Sequence, residues 1–110
     1  MAKLFEIDDS TFQQTVLDST QPVLVDFSAP WCGPCKLVDP ILADLSAEYG
    51  DRLRFVVINT DENYDTVAQC GVLNMPTLVL FQGGRELHRM IGYAPKAQIK
   101  RQIDRALTTG

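Results

Sequence analysis

The chain alternates short, continuous apolar runs with longer stretches in which apolar residues recur at helical spacing. Residues 23–27 and 53–58 are apolar almost throughout, which predicts two central strands that are covered on both faces. A third predicted strand, residues 77–81, connects through the glycine-containing turn 82–85 to a fourth, residues 86–91, as a hairpin. The apolar pattern alone therefore predicts four strands.

Helices are predicted before, between and after these strands. The second is the longest, and Pro40 inside it is expected to produce a kink. No linker or repeat divides the chain, so we expect one α/β domain over residues 1–110 with helices on both faces of the sheet. The predicted helices are residues 9–18, the stretch from the Cys-Gly-Pro-Cys turn to Tyr49, residues 61–70, and a last segment that opens at Pro95.

Composition and charge narrow the functional class. The 110 residues are 45% hydrophobic and 22% charged, which suits a compact domain with its own core. The net charge is -4 and no basic run occurs, so we expect no nucleic-acid partner. The apolar runs are only of strand length, so we expect no membrane partner.

The first residues favour a cytoplasmic location. The acidic residues Glu6, Asp8 and Asp9 occur where a signal or transit peptide would be basic and then apolar. In a reducing compartment, three cysteines are more consistent with catalytic, metal-binding or buried roles than with a structural framework. We therefore expect a cytoplasmic protein. We also expect it to be a monomer.

Cys32 and Cys35 lie at the predicted start of the second helix, with Gly33 and Pro34 between them. A disulfide at this spacing closes a small loop, so it removes little entropy from the unfolded chain and is readily reduced. The unpaired N–H groups at the helix start would stabilise a Cys32 thiolate. We expect Cys32 to attack a target disulfide, and Cys35, more buried and less acidic, to release the reduced product.

The cysteine pair could also belong to a zinc site or to a protein of an oxidising compartment. A zinc site needs four ligands, and only Cys70 and His88 could complete it; His88 lies in a predicted strand, so we expect no metal. An oxidase, an isomerase or a structural disulfide would suit an oxidising compartment, which the missing signal argues against. The alternative function is a binding subunit of a larger assembly in which the thiols are incidental.

Residues 29–36, Ala-Pro-Trp-Cys-Gly-Pro-Cys-Lys, and residues 75–77, Met-Pro-Thr, closely resemble the thioredoxin family. The resemblance implies the thioredoxin fold, a mixed five-stranded sheet flanked by four helices. It also implies a reductase of protein disulfides that needs no cofactor beyond the Cys32–Cys35 disulfide. The implied partners are disulfide-containing proteins and a thioredoxin reductase that depends on NADPH or ferredoxin. Further matches, in the family's order, are residues 25–27, 40–42, 59–61, 83–84 and Gly92.

The resemblance also implies roles for residues around the cysteines. Asp26 would be a buried carboxyl whose pKa is raised by desolvation and which exchanges a proton with Cys35. Pro76 would follow a cis peptide bond that holds Met75 within reach of an extended substrate strand. The implied substrate-binding residues are Trp31, Gly33, Pro34, Met75, Pro76, Ile91 and Gly92.

Three of these residues have an ordinary alternative role that the sequence leaves open. Asp26 could be a surface acid on an edge strand. Pro76 could be a trans proline that opens a strand. Trp31 could pack on the sheet instead of facing a partner.

Several positions depart from the family. Ser28 stands where an aromatic residue is expected, and its small side chain is expected to leave a gap behind the cysteines. Val57 stands where many relatives have a lysine, and without that cation we expect the pKa of Asp26 to be raised further. Leu73, Asn74 and Tyr93 differ on the expected binding face, which bears on the choice of partner.

Cys70 is the third cysteine, near the end of the third predicted helix. It is either a small buried hydrophobic residue or a surface thiol that is open to modification.

Overall fold

A computed structural model of the chain describes residues 4–109 and has one mixed sheet of five strands at its centre. The strands are β1 (Phe5–Ile7), β2 (Val23–Ser28), β3 (Arg54–Asn59), β4 (Thr77–Gln82) and β5 (Arg85–Ile91). Their order is β1-β3-β2-β4-β5, so β2 is the central strand. β3 pairs in parallel with β1 and β2, whereas β4 runs antiparallel to β2 and β5.

Helices cover both faces of this sheet. On one face lie α1 (Gly33–Tyr49) and α3 (Lys96–Thr109). The other face is covered by a π-helical segment, Gln13–Leu17, and by α2 (Tyr64–Cys70). A 3-10 turn, Gly50–Arg52, follows α1. The predicted α/β layers, with a mixed five-stranded sheet and four helices, are confirmed.

All six residues of β2 are buried, because the strand is paired on both edges and covered on both faces. Side chains of a strand alternate between the two faces, so Leu24 packs in the α1–α3 core while Val25 packs in the opposite core. The same alternation places Asp26 beneath α1 on the Leu24 face. An acidic side chain therefore lies at the centre of the sheet.

The first helix is shorter than the predicted residues 9–18. The Asp8 carboxylate accepts hydrogen bonds from the Ser10 N–H (2.9 Å) and the Thr11 N–H (3.1 Å), which hold the chain in a turn. Bonds to these two N–H groups are typical of a helix N-cap, so Asp8 caps the turn from which the helical segment continues. The Asp9 carboxylate accepts the N–H of Thr66 (2.9 Å), in the first turn of α2. The two aspartates therefore cap a turn and a distant helix.

Strand β1 was not predicted from the apolar pattern. Phe5 and Glu6 are exposed and only Ile7 is buried, so the strand has no apolar run that would indicate it. Its position is decided by parallel pairing with β3, in which Glu6 lies opposite Val57. A short edge strand of this kind depends on its neighbour more than on its own residues.

The other predicted boundaries agree with the structure to within one residue, except that α2 begins at Tyr64, three residues after its predicted start. The β4–β5 hairpin turns at Gly83 and Gly84, whose φ angles of 62° and 78° favour glycine. Helix α1 continues through Pro40 and ends before Gly50, which also has a positive φ of 55°. These glycines act as stop signals that are readable in the sequence.

Candidate active site

The two cysteines form a disulfide across the first turn of α1. Cys32 is the N-cap residue, with extended backbone angles, and Gly33 and Pro34 begin the helix. The N–H of Cys35 points back and donates a hydrogen bond to Sγ of Cys32 at 3.2 Å. The sulfur of Cys32 therefore occupies the position where a helix N-terminus stabilises negative charge.

Both cysteines are nearly enclosed, with exposed fractions of 3% for Cys32 and 1% for Cys35. Cys35 is the more buried of the two, as predicted, although the difference is small. They pack against Ala29 and the half-buried Met75. Access to the sulfurs is thus confined to the surface formed by the adjoining loops.

The Met75–Pro76 peptide bond is cis, which confirms that prediction and excludes the trans alternative. The carbonyl of Pro76 accepts the N–H of Gly92 at 2.8 Å, which joins the start of β4 to the end of β5. Ile91 is the residue just before this contact and is 63% exposed. The structure thus brings Met75, Pro76, Ile91 and Gly92 together beside the disulfide.

Trp31 is 65% exposed, so the alternative that it packs on the sheet is wrong. Its indole Nε1 donates a hydrogen bond to the Asp61 carboxylate at 2.9 Å. Asp61 was not recognised as a site residue from the sequence, although it lies in the matching stretch 59–61. Leu73 and Tyr93 add exposed apolar surface, with exposed fractions of 87% and 52%.

Asp26 is fully buried, with 0% of its surface exposed, so the edge-strand alternative is wrong. Its neighbours in the sheet are Val57 and Leu78, and neither can donate a hydrogen bond from its side chain. Desolvation, and after it the neighbouring Asp39 carboxyl, raises the pKa of Asp26 well above its ordinary value. The direction of the shift agrees with the prediction.

Comparison with known proteins supplies the family. A family model described as Thioredoxin matches residues 3–105. Thioredoxin 1 of Nostoc sp. is 41% identical over 107 residues, which cover 97% of this chain and 100% of the relative. Thioredoxin of Synechocystis sp. is 41% identical over 102 residues, 93% of this chain and 95% of the relative. The chain belongs to the thioredoxin family.

Chloroplast proteins are also among the relatives. The M-type chloroplastic thioredoxin of Chlamydomonas reinhardtii is 42% identical over 101 residues, which cover 92% of this chain and 72% of that protein. The family is therefore represented in more than one compartment.

Membership of the thioredoxin family, with the disulfide at the expected position, makes this chain a thiol–disulfide oxidoreductase that reduces protein disulfides. Thioredoxins need no cofactor beyond the redox-active disulfide, and the family implies a thioredoxin reductase and disulfide-bearing proteins as partners. Within residues 4–109, no group of three or more His, Cys, Asp or Glu side chains could hold a metal ion. Over the same range no helix is both long and apolar enough to cross a membrane.

The predicted gap at Ser28 is present. A cleft of about 300 Å³ opens behind the disulfide, between α1 and the β1–β3–β2 side of the sheet, and Ser28 and Cys35 both line it. Asp39 of α1 lines it as well and accepts a hydrogen bond from Oγ of Ser28 at 3.2 Å. Asp39 was missed in the sequence, although it lies four residues after Cys35 and therefore on the same side of the helix.

Cys70 is half-buried at the end of α2 and packs against the core on that face of the sheet. Burial raises the pKa of its thiol, which disfavours the reactive thiolate. The backbone carbonyl of Cys70 accepts a hydrogen bond from Arg89 at 2.6 Å. These features favour the packing role over the modifiable surface thiol, although the side chain is half-buried and not fully enclosed.

The raised pKa of the buried Asp26 carboxyl can be tested through the pH dependence of the free energy of unfolding. Its folded-state pKa is raised, so its contribution to stability is present below the unfolded pKa and is lost as the pH rises through the folded pKa. We expect Asp26→Asn to be more stable than the natural chain at pH 8, by about 1–3 kcal/mol, because no buried unpaired charge has to form. Urea unfolding at pH 4 and pH 8 measures this; an advantage that does not grow with pH would contradict it.

Proposed function

We propose that Cys32 is the attacking sulfur and Cys35 the resolving sulfur of this reductase. The Cys32 thiolate attacks one sulfur of a target disulfide, and a mixed disulfide forms while the other target sulfur leaves and takes a proton from solvent. The Cys35 thiol then loses its proton and its sulfur attacks Sγ of Cys32. The bond between Cys32 and the target breaks, the released target sulfur takes a proton from solvent, and the Cys32–Cys35 disulfide forms. The target has then gained two electrons and two protons.

The observation that carries this assignment is the position of Cys32 at the N-cap of α1, with its Sγ accepting the Cys35 N–H. The N-terminus of a helix of 17 residues stabilises a thiolate there. Cys35 lies within the first turn of the helix and is 1% exposed, so a target reaches its thiol less readily than that of Cys32. The asymmetry between the sulfurs supports their different roles.

We assign the proton exchange of the second step to Asp26. A carboxyl whose pKa is raised by burial is a stronger base than an exposed one, so it is suited to accept the Cys35 proton near neutral pH. Its place beside Asp39 of α1 supports this role, because Cys35 lies one helical turn before Asp39 on the same helix.

The proposed docking surface consists of Trp31, Gly33, Pro34, Met75, Pro76, Ile91 and Gly92. Gly33, Pro34, Trp31 and Ile91 are exposed, and Met75 and Gly92 are half-exposed. Pro76 is buried, so its ring adds no exposed surface for a target. An extended segment of the target could pair with the backbone of Met75, in the manner of an added strand. The exposed apolar side chains on both sides of this target segment would then hold its disulfide over Cys32.

We further propose a cytoplasmic monomer that consists of one domain over residues 1–110. Its reductase depends on NADPH or on ferredoxin. Insulin-disulfide reduction with each purified reductase in turn tests this proposal. We expect one of them to sustain turnover; failure with both, while a chemical dithiol sustains it, would contradict the proposed donors.

Trapping experiments test the sulfur assignment. In a Cys70→Ser background, Cys35→Ser should accumulate a mixed disulfide with insulin, because the sulfur that breaks it is missing. Cys32→Ser is the matched control and should accumulate none. Mass spectrometry of the non-reduced adducts identifies the linked cysteine. An adduct through Cys35 in the control would reverse the roles.

If this surface binds the target, removing one of its apolar side chains should weaken the binding of protein substrates only. Ile91→Ala should raise KM for insulin about three- to tenfold with little change in kcat, because it removes apolar contact but no reacting group. Phe5→Ala is the control, since Phe5 is 64% exposed on β1 beside the opposite end of α1. Steady-state kinetics with insulin and with a small aromatic disulfide distinguish the effects. Equal losses for both substrates would argue against docking.

A further inference from the structure

Three buried carboxylate oxygens lie together beneath α1 without a donor. Neither Oδ1 nor Oδ2 of Asp26, nor Oδ1 of Asp39, has a hydrogen-bond partner among residues 4–109. The remaining oxygen, Oδ2 of Asp39, accepts from Ser28. Buried acceptors are normally paired, so a donor for this group of oxygens has to be identified.

A shared proton supplies the missing donor. If both carboxyls were ionised, two negative charges would lie close together in a poorly solvated site, which is unfavourable. One proton between them removes one charge and allows an O–H of one carboxyl to bond to an oxygen of the other. The proton is then held between Asp26 and Asp39.

The other polar groups near the pair do not neutralise it. Lys36 of α1, Glu6 of β1 and Asn59 of β3 line the same cleft. Among the described residues Lys36 forms no salt bridge with either aspartate, and Glu6 adds a further negative charge to the rim. Val57, opposite Asp26 in β3, is apolar.

Asp39 also differs from Asp26 in its access to solvent. Asp26 has no exposed surface and is not among the residues that line the cleft. Asp39 is partly exposed, with Oδ1 buried and Oδ2 bonded to Ser28 at the cleft wall. The Asp39 carboxyl therefore extends from the enclosed site toward the opening.

We propose that Asp39 is a second proton-handling carboxyl of this enzyme, which shares one proton with Asp26 and passes it between Asp26 and solvent through the cleft beside Ser28. The proposal rests on the proposed role of Asp26. Before the second step the shared proton leaves to solvent through Asp39, so the pair can accept one. The Cys35 proton then moves to the pair as the Cys35 sulfur attacks Sγ of Cys32, and the target sulfur that leaves takes a proton from solvent. The pair is therefore unchanged after one turnover, and the electrons pass only between sulfurs.

Asp39→Asn tests this inference, with Asp44→Asn as the matched control. Asp44 is an exposed aspartate on the same helix, away from the cleft. Carboxyl NMR titration of Asp26 in the Asp39→Asn variant should show a midpoint lower by about one pH unit, because the neighbouring negative charge is gone. The pH profile of insulin reduction should shift in the same direction, with a plateau lower by about threefold or more. Asp44→Asn should change neither.

The double variant Asp26→Asn/Asp39→Asn separates the possible outcomes. If Asp39 acts through Asp26, adding Asp39→Asn to Asp26→Asn should change the rate by less than about 1.5-fold. An Asp26 titration that is unaltered by Asp39→Asn, or an equal rate loss in both backgrounds, would overturn the role of Asp39 alone. If Asp26→Asn itself leaves the rate unchanged at every pH, the role proposed for Asp26 fails, and that of Asp39 fails with it.

Discussion

The contact between the first turn of α1 and the Cys32 sulfur is the interaction on which the reactive centre depends. The Cys35 N–H donates to that sulfur, and the helix N-terminus favours its negative form. The contact requires α1 to start at a defined place. Central strand β2 ends at Ser28, four residues before Cys32, and the apolar side of α1 holds the helix against the sheet. The core therefore acts on the chemistry by positioning one helix end.

A buried acid beneath the same helix works against stability. β2 would be a more favourable strand with an apolar residue in place of Asp26, since the carboxyl has no partner in the sheet. Active sites commonly retain such unfavourable groups because the chemistry uses them. In this chain the surroundings of Asp26 are acidic, because Val57 supplies no cation and Asp39 adds a carboxyl. Ser28 and Asp39 both line the cleft behind the disulfide.

The surface around the disulfide is assembled from loops that are distant in the chain. Trp31 precedes the cysteines, Met75 and Pro76 precede β4, and Ile91 ends β5. The antiparallel pairing of β4 with β5 brings Met75 and Pro76 next to Ile91, and the hydrogen bond from the Gly92 N–H to the Pro76 carbonyl joins the two segments. A rigid sheet thus presents several short loops as one apolar face, which suits a partner that is bound in an extended form.

Local sequence determined most of the secondary structure and the position of the redox turn. The apolar runs of the three longest buried strands, the glycines of the hairpin and the Cys-Gly-Pro-Cys turn each specify their own conformation, so they were predicted correctly. Tertiary structure decided what has no local signal. Strand β1 forms because β3 pairs with it, and the Asp9 carboxylate bonds to the first turn of α2 instead of to the segment that follows it in the chain. Asp39 affects the pKa of Asp26 only because α1 packs over β2. Backbone propensity acts over a few residues, whereas burial and charge interactions join residues that only the folded chain brings together.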